Sequence, residues 1–340
     1  LKNYGWPTRY QVRDLGNPET DGHGMLMLGH WQTWLKTERS AQWVRDRWDA
    51  LRETAEFIPW ALDHPELSFS EHGTLYSESE GGMAMESFYA NVPCYLGLLA
   101  YADMAEAAGK VDTAVRWRNQ AARLFDGMEA YFPLNDPEWG DVWDPAKTAD
   151  WGNKQGTLAP LTLGIDYWGF LPMQRMPRRW ADRTERSYEQ ALTRMRTQWC
   201  APKGLGYGQN YYAQCALLLD RMQEARHIVD WLARFCYAPR LQDPYRAPEG
   251  ASLGDNAKVW RRWGDHGNMY QMNETVYTPI LMAGIDDSQK DELVIVPRLP
   301  WGWRGITVTD MPATVAGENG YQQVRISYDL EHDGEGKSVA

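Results

Sequence analysis

The feature that most constrains this chain is a repeated pairing of helical patterns, an apolar stretch followed each time by a more charged one. Apolar residues recur at the helical period from Met25 to Leu35 and from Ser40 to Leu62, with Ser40 placed to cap the second run. Met83 to Ala108 is a long apolar run, closed by Gly109 where left-handed backbone commonly ends a helix. Val111 to Tyr131 follows, with Arg116, Arg118, Gln120 and Arg123 on a polar face. Further pairs are Leu158 to Tyr167 with Arg179 to Trp199, and Gln209 to Leu219 with Gln223 to Tyr237; Asn268 to Ala283 opens a last one. The first members begin near residues 25, 83, 157, 208 and 266.

An apolar helix needs cover on all sides, and an amphipathic helix supplies it on one. Hairpins of this kind predict a mainly α fold, an (α/α)6 toroid with buried helices inside and amphipathic ones outside. Five pairs are visible, and six result if one hairpin lies upstream of Leu1. An α-solenoid is the rival, but its helical repeats run to about 33–47 residues, shorter than the spacing here. After Gly284 the pattern changes to short alternating strands: Glu292 to Val296, Ile306 to Val308 and Gln322 to Tyr328, punctuated by Pro297, Pro300, Gly302, Gly305 and Gly317. This predicts a helical domain over 1–288 and a β-sandwich-like C-terminal segment over 289–340. Leu1 stands where a start methionine would, and the chain is expected to be a fragment of a longer protein.

Charge narrows the partners. There are 35 basic and 46 acidic residues, a net −11, whereas a nucleic-acid binder needs a basic face to neutralise phosphates. Nucleic acid is therefore not expected as a partner. No run approaches the roughly 18 apolar residues of a membrane helix, so membrane insertion is not expected either. The four cysteines form no CxxC pair, and the seven histidines no HExxH. Neither a metal site nor a cofactor is predicted, and no GxSxG, GxGxxG or GxxxxGK[ST] motif is present. The aromatic balance points elsewhere: 18 Trp and 18 Tyr stand against 7 Phe. Trp and Tyr pair an apolar face with a polar edge, which suits stacking against a hydroxylated sugar ring.

In a toroid the loops that lead into the inner helices converge on one mouth. Four segments ahead of such helices are rich in acidic, aromatic and glycine residues. Glu19-Thr20-Asp21-Gly22-His23-Gly24 offers Asp21 and His23 to ligand hydroxyls, or Asp21 as a helix cap. Tyr76-Ser77-Glu78-Ser79-Glu80-Gly81-Gly82 places two carboxylates beside an aromatic ring. A dry wall would raise one of them, as protonation of a glycosidic oxygen requires. A long loop from Trp139 to Asn153 brings Asp150 and Trp151, a candidate sugar platform. Last, Pro248-Glu249-Gly250 and Trp260 to Asn268 lead to Glu274, with Trp263, Asp265, His266 and Asn268 along the way. Glu274, two turns into its helix, serves either a cleft or a packing contact.

Paired helices, the DGHG and LYSESEGG segments, and the later PEG and GDHGN ahead of Glu274 resemble the (α/α)6-barrel glycoside hydrolases. Bacterial α-L-rhamnosidases and glucoamylase-like exo-glycosidases are the members meant, and DELVIVPRLPWGWRGITV resembles the β-sandwich that follows the barrel in the former. The resemblance implies an exo-acting, inverting hydrolase of carbohydrate without a cofactor. It implies that Glu78 or Glu80 is the general acid and that Glu249, Asp265 or Glu274 activates water. Asp21, His23, Tyr76, Asp150, Trp151, Trp263, His266 and Asn268 would bind substrate. Two alternatives stand beside it. A polysaccharide lyase on the same toroid would use a Tyr or His base and a cation against a uronate. A non-catalytic carbohydrate-binding protein would need the Trp platforms but no opposed carboxylates.

Overall fold

The computed structural model describes residues 20–79, 83–148, 155–198, 204–205, 209–235, 248–253, 260–266, 269–290, 292–318, 320–332 and 338–339. The protein is mainly helical, with small antiparallel sheets, and divides into two compact units. The first comprises Leu1–Gly169 with Thr314–Gln323, the second Phe170–Ala313 with Val324–Ala340. Among the described residues no helix is long and apolar enough to cross a membrane.

In the first unit, α1 (Thr20–Lys36) starts five residues before the expected Met25 and takes the DGHG segment into its first turns. Glycine weakens an isolated helix, but Gly24 is needed for packing: a Cβ there would lie 2.4 Å from the Cys94 backbone nitrogen. The expected helix from Ser40 to Leu62 is broken at Arg47 into α2 (Ala41–Asp46) and α3 (Trp48–Asp63). Ser40 caps α2 as expected, its hydroxyl accepting from the Trp43 amide at 3.2 Å. A single turn, α4 (Pro65–Ser68), leads to a hairpin of β1 (Tyr76–Ser79) and β2 (Met83–Glu86).

Helix α5 (Phe88–Ala107) therefore begins after a strand rather than at Met83. It is buried nearly all round, and α1 packs along it. Its partner α6 (Val111–Tyr131) has the expected bounds and buries the stripe Ala114, Trp117, Ala121, Leu124 and Met128. The opposite face of α6 carries Arg118, paired with Asp103 at 2.8 Å, and Arg116, paired with Glu56. Apolar helix first, amphipathic helix second: the pattern read from sequence holds for this pair. A second hairpin, β3 (Pro133–Asp136) and β4 (Gly140–Trp143), occupies part of the expected long loop. The Leu158 to Tyr167 stretch is not one helix but two single turns, α7 (Ala159–Thr162) and α8 (Ile165–Trp168), after a 3-10 turn at Gln155–Leu158.

The second unit holds α9 (Pro172–Arg175), α10 (Arg178–Gln198), α11 (Gln209–Leu218), α12 (Met222–Phe235) and α13 (Met269–Ala283). All but α9 match expected helices to within two residues. Trp180, Arg183, Tyr188, Tyr211 and Tyr212 are fully buried. Between α12 and α13, where a loop was expected, β6 (Pro248–Leu253) and β7 (Trp260–His266) pair, and β5 (Gly204–Leu205), from between α10 and α11, joins β6 to make a three-stranded antiparallel sheet. The C-terminal segment is β-rich as predicted. Strands β8 (Ile285–Asp286) and β9 (Val294–Ile295) pair, and β10 (Gly305–Gly317), β11 (Gly320–His332) and β12 (Ser338–Val339) form a sheet. Ala283, Ile285, Val308 and Ala313 make its small core. Asp286 is buried beside it and is met by the Arg175 guanidinium at 2.7 Å and the Phe170 amide at 2.9 Å. That satisfies a charge that would otherwise be costly to bury.

Candidate functional site

The hairpin β1–β2 gathers the chemistry of the first unit. Its register is regular, with Tyr76 opposite Glu86 and Glu78 opposite Ala84. The N-terminus of α1 docks on it: the Thr20 amide donates to Ser77 Oγ at 3.3 Å, and Thr20 Oγ1 donates to the Tyr76 carbonyl at 3.0 Å. Cys94 Sγ donates to the Thr20 carbonyl at 3.2 Å, so α5 holds the same helix end from another side. Two segments far apart in sequence, those of Asp21 and of Tyr76 to Glu78, are thereby neighbours.

Asp21 sits in the first turn of α1. A helix N-terminus favours a charged carboxylate, and the amides of Gly22 and Asp21 itself do pull its pKa down. Burial outweighs them and raises the pKa above the ordinary carboxylate value. Such a carboxyl keeps its proton to a higher pH than an exposed one. His23, two residues on, points instead at α3. Its Nε2 donates to the Thr54 carbonyl at 2.9 Å, its ring lies 4.8 Å from that of Phe57, and burial lowers its pKa. The ring is thus neutral and held in a helix–helix contact.

Glu86 was not singled out by the sequence and is a buried acid of the hairpin, 6% exposed. Both its oxygens are spent on one residue. Oε1 accepts from the His72 backbone amide at 2.9 Å, and Oε2 accepts from His72 Nδ1. The imidazole stacks on Tyr131 with centroids 4.1 Å apart, and the Lys147 ammonium lies 4.0 Å from the same ring centre. Lys147 also donates to the Tyr131 carbonyl at 2.6 Å. Burial first, then the charges of Glu86 and Asp144, raise the Tyr131 phenol, which stays protonated. Tyr76, opposite Glu86, packs its ring 5.2 Å from Phe69.

The loop that carries His72 is firmly held. Asn91, on α5, accepts from the Leu75 amide at 2.7 Å and donates to the Leu75 carbonyl at 2.9 Å. Gly73 (φ +74°) approaches Gly127 of α6 so closely that a Cβ on Gly127 would fall 2.1 Å from the Gly73 oxygen. No sequence signal pairs His72 with Glu86, because the contact depends on a loop closing against a helix rather than on any spacing.

In the second unit, the β6–β7 register shifts by one residue between Pro248 and Gly250. Pro248 pairs with His266 and Gly250 with Trp263, so Glu249 stands opposite Gly264 and Asp265 in a bulge. Two expected water-activating acids are thus brought together in the backbone. Glu274 lies on α13, on a different element. For Glu78, Glu249, Trp263, Asp265, His266 and Glu274 the backbone placement is described; Glu80, Asp150, Trp151 and Asn268 lie outside the described residues. Among the described residues, no group of three His, Cys, Asp or Glu side chains is close enough to hold a metal ion. An open groove of about 770 Å³ lies at the α2–α3 junction, lined by Arg45, Arg47, Trp48, Glu53 and Lys110, and includes none of the expected site residues.

What the first unit can do is proton transfer. It holds a carboxyl kept toward its neutral form, a strand bearing a further acid, and an imidazole gripped by a buried carboxylate, beside aromatic rings that could stack on a sugar. No protein-family model matches the chain, and no curated protein is significantly similar to it.

Proposed function

We propose that this protein is a glycoside hydrolase of the (α/α)6 toroid class that removes a terminal sugar with inversion of configuration. The observation that carries the reading is the junction of α1 with β1, where burial holds Asp21 toward its protonated form next to the strand of Tyr76 and Glu78. Glycosidic cleavage needs one carboxyl group that is protonated at working pH and a second group that activates water. The hairpin acids Glu78 and Glu80, with Asp21, supply the first in this reading. Glu249, Asp265 and Glu274 are the carboxylate candidates for the second, and Tyr76 with the Trp-rich segments binds the sugar. The helical hairpins, the β-rich C-terminal segment and the aromatic surplus support the same assignment.

The test is hydrolysis across a panel of oligosaccharides, with products separated by mass and the anomer followed by NMR. Release of one saturated monosaccharide of inverted configuration is the expected outcome. An unsaturated product identifies a lyase. Binding without cleavage identifies a carbohydrate-binding protein, and either result overturns the reading.

A further inference from the structure

We propose that His72, clamped by Glu86, is the group that activates water in this reaction, in place of any carboxylate of the second unit. The inference rests on the hydrolase reading above and names its second catalytic group.

The geometry is that of a positioned imidazole. Glu86 takes the Nδ1 proton of His72 on one oxygen and the His72 backbone amide on the other, so ring and main chain are fixed by the same carboxylate. With Nδ1 as the donor, Nε2 carries the lone pair. Among the described residues Nε2 meets no hydrogen-bond partner, and half of the side chain is open to solvent while Glu86 is 5% exposed. A buried carboxylate needs hydrogen-bond partners, and His72 supplies one to each oxygen. The same contact sets the tautomer of a half-open imidazole in advance, as a base requires. The stacked Tyr131 ring and the Asn91-pinned loop remove the remaining freedom of the imidazole.

Glu86 faces Tyr76, and Glu78 lies two residues further along the strand of Tyr76, so the clamp on His72 and the proposed acid belong to one hairpin. The step balances. Water oxygen attacks the anomeric carbon while Nε2 takes one water proton. The glycosidic C–O bond breaks, and its electron pair, with a proton from the hairpin acid, leaves on the departing alcohol. Solvent then returns the proton from His72 to the acid. Glu86 touches no reacting atom in this scheme and is a positioning residue.

The experiment uses the whole chain and the glycan found to be cleaved. His72→Ala is expected to lower kcat by roughly 10²–10⁴-fold with KM little changed. Azide should restore turnover and give a glycosyl azide of inverted configuration. Glu86→Gln should lower kcat less than His72→Ala and leave KM alone, and Glu86→Asp should recover part of the loss. Thermal melts of each variant separate a folding defect from a catalytic one. Nitrogen-15 NMR of the imidazole should show a single Nδ1–H tautomer in the wild type and a mixture in Glu86→Gln. A His72→Ala variant at full rate overturns the assignment, as does azide rescue at Glu249→Ala, Asp265→Ala or Glu274→Ala but not at His72→Ala. A wild-type protein that hydrolyses no glycan overturns the functional reading instead, and this assignment with it.

Discussion

Two hairpins of the first unit, β1–β2 and β3–β4, have the same ingredients and different fates. Each mixes acids, aromatics and glycine, and in the sequence each reads as a loop fit for a sugar. In β3–β4 the acids find backbone amides. Asp136 Oδ1 accepts from Glu138 at 2.9 Å and Trp139 at 3.0 Å, and Asp144 Oδ1 accepts from Ala146 at 2.9 Å. Its Trp143 is fully buried and stacked 4.1 Å from Phe88. In β1–β2 the buried acid finds an imidazole instead, and the helix end docked on the strand carries a carboxyl with a raised pKa. An acid that caps a turn is structural, whereas one that grips a titratable ring can position that ring for proton transfer. Composition does not tell these apart; the partner does.

The largest effect expected from this contrast is catalytic. Glu78→Gln should slow hydrolysis by roughly 10²–10⁴-fold on substrates with poor leaving groups, and much less on activated aryl glycosides. Asp136→Asn should change neither. Equal and mild losses at Glu78 and Asp136 would erase the distinction between the hairpins. Next comes Trp143→Ala, which should cost about 3–5 kcal/mol in denaturant unfolding. Its affinity for a bound sugar, read by calorimetry on the folded fraction, should be unchanged. A lost sugar with intact stability would make Trp143 a platform after all.

Gly127→Ala sharpens the comparison from the helix side. The added methyl must push the Gly73 carbonyl, and with it the loop of His72, at a cost of about 1–3 kcal/mol. Activity should fall alongside the melting temperature, because the imidazole moves. Asp136→Ala, which removes an acceptor of two amides, should cost about 1 kcal/mol and no activity.

The smallest effect is in pH. Burial makes the folded state hold the Asp21 proton more tightly than the unfolded chain does. That contribution is complete below the ordinary value of 3.8 and is lost as pH rises toward the raised one. His23 has the opposite sign: its pKa is lowered, so its contribution is complete above 6.5 and lost as pH falls below it. Asp21→Asn should therefore gain melting temperature relative to wild type as pH rises above 3.8. A constant gap would show that Asp21 is not strained by its burial.

The sequence made the helices legible where their own periodicity decides them. The bounds of α6 were read to the residue, since an alternation of Trp117, Ala121, Leu124 and Met128 with arginines has one helical solution. It failed where tertiary contact decides. Gly22 and Gly24 argue for a loop until the backbone of α5 requires a glycine beside it. Strands of four residues, such as Met83–Glu86, are too short to compete with the apolar run that follows. Of the candidate site, Asp21, Tyr76 and Glu78 stand out in the sequence because acids before apolar helices are conspicuous. Glu86 and His72 do not, because one sits at the edge of that apolar run and the other in a bend with no pattern.

The tip of the β10–β11 hairpin has a consequence for how the protein is made. Residues Thr314–Gln323 belong to the first unit, where Gln323 Nε2 donates to the Lys36 carbonyl at 2.7 Å and Arg39 lies 4.7 Å from the Tyr321 ring centre. The ribosome therefore delivers Leu1–Gly169 long before it delivers the segment that completes this unit. At about 5–20 residues per second the delay is roughly ten to thirty seconds. For that interval the end of α1 waits without its last partner, and the first half of the chain can finish folding only after nearly all of the second half has been synthesised.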